Sequence, residues 1–193
     1  PRHRDIYPED EQLQIMKAGA AAQNFEGAVR PGHFDGMLTV VHRLFNQVQP
    51  SHAFFGEKDA QQLCLVKQLV VDFDLPLEVV GCPLVRDKDG LALSSRNQRL
   101  SIGGRQRALA ISRALNQCQA DFAAGERRAS TLIKGMTGLM QASQLDLQYC
   151  AIVDDCSFSE IDGDITSSSR AIIAAEVDSV HLIDNQSLDP NAC

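Results

Sequence analysis

Two short runs hold the residues best suited to chemistry. "FFGEKDAQQ", residues 54–62, takes two aromatic side chains through one glycine into three consecutive charges. "LSSRN", residues 93–97, sets two hydroxyls before a guanidinium. Lysine brings a compact, mobile positive charge to phosphate, and arginine brings a two-pronged fork. Hydroxyls donate to the same oxygens, and a glycine lets a ligand approach the backbone closely. The types present at Gly56, Lys58, Ser94, Ser95 and Arg96 are therefore those of a phosphate site. A plainer reading stands beside each run. Asp59 can cap a helix, with Gln62 closing a capping box, while Glu57 and Lys58 are solvated loop charges. "LSSRN" can be a polar connection after the turn signalled by Asp89-Gly90. Neither run is a Walker loop or a G-x-G-x-x-G fingerprint.

These runs need elements to position them. "HFDGMLTVVHRLFNQVQ" repeats apolar residues at three- and four-residue steps and predicts a helix ended by Pro50. "HAFFG" reads as a short buried strand. "DAQQLCLVKQLVVDF" reads as a helix with Leu63, Val66, Leu69, Val70 and Phe73 inward, and "PLEVVGCPLV" as a second buried strand. Helix, strand, helix, strand is the α/β pattern, and strands separated by a helix are most simply parallel. In an open parallel sheet, ligands sit beyond the carboxyl ends of the strands, where Gly56 falls. Helix N-termini there favour phosphate.

The texture changes near residue 100. "RQRALAISRALNQCQADFAAGE" and "STLIKGMTGLMQAS" predict two helices, and "DLQYCAIVD", "RAIIAAEV" and "VHLID" predict strands. The expected organisation is a partial Rossmann-like domain over residues 1–99 and a small α+β domain over residues 100–193. "EQLQIM", residues 11–16, reads as a further short strand.

Composition narrows the function classes. The net charge is −7 over 193 residues, which argues against a nucleic-acid partner. No apolar run is long enough to span a membrane, and "PRHRDIYPED" has no signal-peptide core. The six cysteines form no C-x-x-C pair and are expected to be reduced and buried. The five histidines show no metal spacing, so no structural zinc is expected.

Taken with "RPGHFDGMLTVVHRLFNQVQP" upstream, the runs "FFGEKDAQQ" and "DGLALSSRN" resemble the pantothenate synthetase (pantoate–β-alanine ligase) family. The likeness extends from "DIYP" to "LIDN" and weakens after residue 100. It implies a Rossmann-like nucleotidyltransferase that joins pantoate to β-alanine through a pantoyl adenylate, releasing pyrophosphate and AMP. It implies ATP as substrate, Mg2+, a cytoplasmic homodimer, and small molecules rather than nucleic acid or membrane as partners. Carried over by motif, Gly56, Glu57, Lys58 and Asp59 would line the ATP site. Lys58 would be the catalytic residue, neutralising charge on the phosphates for about 3 kcal/mol. Leu93, Ser94, Ser95 and Arg96 would form the loop that closes on the phosphates, and Val85 would touch the adenine nucleotide. Gln62 would hydrogen-bond pantoate, with Phe55, Val40 and Val41 as the apolar wall of its pocket. Arg30 and His33 lie in a family motif and are read as structural. The metal ligands are not read from the sequence.

The chain also departs from the family. A histidine motif of the form G-x-x-H-x-G-H is absent, as are the first strands and the acidic residues near magnesium. The resemblance therefore implies a longer enzyme and reduced activity for residues 1–193 alone. A non-catalytic nucleotide-binding or dimerisation fragment is the alternative; a nucleotidyltransferase for another acid is a third reading. Asp178 and His181 stand where the family often has glycine and arginine. "LSIGG" places two glycines where a helix should start, so that helix is expected to begin late.

Overall fold

The computed structural model describes residues 2–7 and 14–190. They form two compact units, Pro1–Cys82 and Pro83–Cys193. The fold is α/β with a parallel pair of strands in the first unit and an antiparallel sheet in the second.

In the first unit, the short helices α1 (His3–Ile6) and α2 (Glu26–Val29) precede α3 (His33–Val48). Gly32 enters α3 at φ +77°, a conformation that favours glycine. Phe34, Leu38 and Phe45 share the buried face of α3, as their spacing predicts. Gln49 turns left-handed at φ 49°, its N–H closing on Phe45 O at 2.8 Å, and Pro50 stops the helix. Then come β1 (His52–Gly56), α4 (Ala60–Asp72) and β2 (Glu78–Cys82). The strands pair in parallel from His52↔Glu78 to Gly56↔Cys82. Parallel neighbours need a crossover rather than a tight turn, and α4 supplies it.

Phe34, Leu38, Phe45, Leu65, Val66 and Leu69 make the core of this unit, with Phe55 and Val79 packed against it. The Phe45 and Phe55 rings meet edge to face at 6.3 Å. The two expected buried strands need correction. Side chains alternate across a strand, and α3 and α4 take only one face. Phe55 is half-buried, whereas Phe54 points the other way and is 68% exposed. Phe73, expected inside α4, caps its end and is half-exposed beside His42, 5.1 Å between ring centroids. Of the strand expected at residues 11–16, residues 11–13 lie outside the described residues and residues 14–16 have no regular structure.

The second unit begins earlier than the change of texture near residue 100. Residues 83–100 belong to it because their hydrogen bonds and core contacts lie there. A tight hairpin spans residues 85–93, with Leu93 N–H on Val85 O at 2.9 Å and Gly90 at φ +94°. Leu91 enters the unit's core. The Arg86 guanidinium reaches Asp184 at 2.6 Å. Next come α5 (Ile102–Ala123), α6 (Ala129–Ala142), β3 (Asp146–Asp154), β4 (Ser169–Val177) and β5 (Val180–Leu188). The sheet order is β3-β4-β5, all antiparallel. Central β4 is buried along almost its whole length, which its apolar run anticipates. Ile111, Leu115, Met136, Met140, Ile152 and Ile173 fill the space between the helices and the sheet. None of the five described cysteines is in a disulfide; Cys64 and Cys118 are buried, whereas Cys156 is exposed against expectation. Burial pushes the Cys118 thiol up to about 12, so it stays protonated and inert. No described helix is long and apolar enough to cross a membrane.

Helix α5 does not begin late. Ser101 caps it, its hydroxyl accepting from Gly104 N–H at 2.9 Å. The Ser101 hydroxyl and N–H donate in turn to Asp178 Oδ2, at 2.7 and 3.0 Å. Arg107 adds a bond to Asp178 Oδ1 at 2.7 Å. Asp178 and Ser179 both have positive φ, 52° and 59°, the tight hairpin turn between β4 and β5. A Cβ on Gly104 would lie 1.8 Å from Asp178 Oδ2. The glycine and the aspartate thus fit one another.

The Ser101 hydrogen bonds, followed by Arg107, hold the Asp178 carboxyl below the usual range. A carboxyl whose folded pKa is depressed contributes stability above its unfolded value, near ~3.9, and loses it as pH falls through the folded value. Thermal melts of Asp178→Asn should show a deficit at neutral pH that closes as pH drops from about 5 to about 2. Alanine in a helix ordinarily gains about 1 kcal/mol over glycine. Gly104→Ala should nonetheless lower Tm, and in an Asp178→Gly background the same substitution should raise it. A rise in both backgrounds would refute the close fit.

Candidate functional site

In the first unit the candidate residues gather where β1 ends. Gly56 is extended, φ −70°, and an added Cβ would meet no atom within 4 Å. Neither backbone strain nor packing among the described residues calls for glycine there. A single 3-10 turn, Glu57–Asp59, then leads into α4. Glu57 is half-buried and folds back over β2: a Cβ on Gly81 would lie 3.1 Å from its Oε1. The Lys58 side chain is 23% exposed, with Nζ 4.0 Å from Asp59 Oδ1. That separation is at the limit for an ion pair, and Asp59 is itself half-exposed.

The capping-box alternative is not realised. Asp59 occupies the N-cap position of α4 but makes no side-chain capping bond. Gln62, half-buried one turn into the helix, makes no side-chain hydrogen bond within the described residues. Val41 and Phe55 pack against the same core, while Val40 is half-buried outside it. Arg30 is exposed in the turn that starts α3, its carbonyl accepting from His33 N–H at 3.1 Å. The His33 ring leans on Phe34, 5.3 Å between centroids.

Sequence reasoning missed Gln61. It is 4% exposed, and its amide is fully engaged. Oε1 accepts from Glu26 N–H at 3.1 Å, and Nε2 donates to Ala21 O at 2.7 Å and Asn24 O at 2.9 Å. One side chain thereby fixes residues 21–26 against the start of α4. The signal was present: Gln61 falls in helical phase with Leu65, and an amide on a buried face must find partners.

In the second unit, Leu93 N–H and Val85 O join the ends of the hairpin, so the two side chains are neighbours in the fold. Both are exposed, Val85 by 63% and Leu93 by 53%. Ser94 Oγ accepts from Arg96 N–H at 3.2 Å and caps a 3-10 helix, Ser95–Arg99. Ser95 is exposed, and its hydroxyl makes no hydrogen bond within the described residues. Half-buried Arg96 donates to His181 O at 3.3 Å. Asn97, buried, donates to Ala92 O at 3.0 Å and keeps the loop folded on itself. Among the described residues, no group of three or more His, Cys, Asp or Glu is placed to hold a metal ion. Those residues therefore build no all-protein cage for Mg2+.

Replacing Gln61 by leucine keeps the shape but strips one N–H and two carbonyls of their partner. Urea denaturation should show a loss of about 3 kcal/mol. The Glu26 amide should exchange with solvent at least tenfold faster; unchanged exchange there would show that the bridge does not hold the segment.

The pantoate-beta-alanine ligase family model matches residues 1–187. Pantothenate synthetase of Paracoccus denitrificans is 45% identical over 185 residues, 96% of this chain and 64% of the relative. That of Acidothermus cellulolyticus is 43% identical, over 96% of this chain and 61% of the relative. The chain thus spans a little under two thirds of the length of these relatives. The crystal structure of pantothenate synthetase from Thermus thermophilus superposes with a TM-score of 0.91 at 39% identity, covering 98% of this chain and 68% of that one. Pantoate-beta-alanine ligase from Francisella tularensis, complexed with beta-gamma ATP and beta-alanine, superposes with a TM-score of 0.68 at 34% identity, covering 95% and 61%. On the match over nearly its whole length, the chain belongs to the pantoate-beta-alanine ligase family.

Proposed function

We propose that this chain supplies part of the ATP and pantoate site of an enzyme that condenses pantoate with β-alanine. The observation that carries the reading is the end of β1. Among the described residues nothing requires glycine at 56, Lys58 is largely buried next to it, and the Gln62 amide has no hydrogen bond one turn later. A glycine without a structural role leaves room for a ligand. A lysine and an idle amide beside it suit a phosphate and an organic acid. The ligands named for the Francisella relative, beta-gamma ATP and beta-alanine, are substrates this reading calls for.

The reaction runs in two displacements. A pantoate carboxylate oxygen attacks the α-phosphorus of ATP; that P–O bond forms while the α–β bridging P–O bond breaks, and pyrophosphate leaves. The β-alanine amine then attacks the acyl carbon of the pantoyl adenylate. The C–N bond forms, the C–O bond to AMP breaks, and the amine gives up a proton. Lys58 neutralises charge that builds on the phosphates in the first step. Gln62 orients the pantoate, with Phe55, Val40 and Val41 shaping the apolar side. Gly56, Glu57, Asp59, Val85, Leu93, Ser94, Ser95 and Arg96 contact the nucleotide; Ser95 Oγ is free to turn to a phosphate. Any Mg2+ would come with the nucleotide and would offset phosphate charge there; no group of described residues would hold it. The enzyme works as a homodimer, which light scattering of the full-length protein would check.

Pantoate-dependent ATP–pyrophosphate exchange tests the reading. In the full-length protein, Lys58→Ala should lower exchange by about 10²–10³-fold with the fold intact. Gln62→Ala should raise the pantoate KM without a matching change for ATP. Near-normal exchange in Lys58→Ala would make the lysine a loop charge. Residues 1–193 alone should exchange weakly, because the family's histidine motif is not among them; robust exchange from this chain would overturn that point.

A further inference from the structure

The Asp184 carboxylate lies on the core-facing side of β5, with its side chain 3% exposed. Its register partner on β4 is Ile173, a core residue. Such a charge is costly without a partner. Arg86 meets it with two prongs, one nitrogen at 2.6 Å from Oδ2 and the other at 3.1 Å from Oδ1. The first of these nitrogens also donates to Gly90 O at 3.1 Å, which closes the hairpin over the pair. Three residues along β5 from Asp184, the His181 carbonyl accepts from Arg96. One strand thus grips the hairpin and the following loop at two points. Neither grip involves Ser94 or Ser95, which lie between them in sequence.

We infer that Asp184, acting through Arg86, is a positioning residue that sets the register of residues 93–96 for nucleotide binding. The inference rests on the reading of that loop as the phosphate loop. The hairpin is already held by Leu91 in the core and, on the outer side, by Arg105, which bonds Asp89 at 2.7 Å and Asp87 at 2.8 Å. A buried ion pair adds little net stability over an apolar pair of the same shape, but its fork admits one geometry. The two-pronged bond therefore does something the apolar contacts do not. It prevents the hairpin from sliding along β5, and a slide there would carry the loop with it.

The test is Asp184→Asn in the full-length protein, which keeps the shape and removes the charge. Amide exchange at Leu93, Asn97 and Leu100 should speed at least tenfold, while Ile152 and Ile173 exchange as before. The ATP KM should rise at least tenfold, with the pantoate KM within twofold of wild type. Arg86→Gln should show the same pattern, and the double variant should be no worse than either single one. Wild-type loop exchange and ATP KM in Asp184→Asn would overturn the inference. So would uniformly faster exchange across β3 and β4, the mark of a merely structural role. If Asp184→Asn fails to fold, Arg86→Lys carries the same readouts, since it keeps the charge and loses the fork. Absence of pantoate-dependent exchange in the wild-type protein would sink the underlying reading instead, and the loop-confined exchange pattern would still decide the positioning role.

Discussion

A carboxylate taken out of water must be answered by a cation with matching geometry, and Asp184 imposes that demand on the second unit. Arg86 answers it, and the rest of the segment follows. The hairpin closes through Gly90, Leu91 drops into the core, and the 3-10 helix at Ser95–Arg99 starts where the hairpin ends. Removing either member leaves the other without its partner in the fork, and the effect falls first on the hairpin that closes over the pair. The hydrophobic layer between α5, α6 and the sheet makes the unit stable. The ion pair adds one fixed geometry for the hairpin against β5.

The first unit meets a comparable demand with a neutral group. Gln61 and Gln62 are adjacent and chemically identical, yet a step of about 100° around the helix separates their fates. Gln61 turns into the protein and spends its amide on three backbone groups. Gln62 faces away from those partners. The helix that carries the candidate acid-binding residue is thereby anchored by its neighbour.

Much of this was legible in the residues. The apolar steps of α3 and the alternation of β3 mark those elements closely, and the glycine before three charges marks the end of β1. What escaped has physical causes. Phe54 and Phe55 are equally apolar, so composition does not say which face of a two-stranded sheet the helices cover. Arg86 and Asp184 are 98 residues apart and look like any surface charges until the fold buries them. Composition shifts near residue 100, yet the contacts of residues 83–100 are with the second unit. Long-range pairing rather than local texture governs where a connecting segment packs.

The fit between Gly104 and Asp178 bears on how this sequence can have changed over time. Oδ2 of the aspartate occupies the space a methyl group at position 104 would need. An ancestor with a bulkier residue at 104 would have had to turn an aspartate at 178 aside, away from Ser101. With glycine at 104, at the modest cost of a weaker helix start, the carboxylate takes its bonds to Ser101 without that shift. Once both are in place, replacing the glycine disturbs the carboxylate unless the aspartate goes first. The two positions are coupled, and a relative that carries aspartate at the equivalent of 178 is expected to carry glycine at the equivalent of 104.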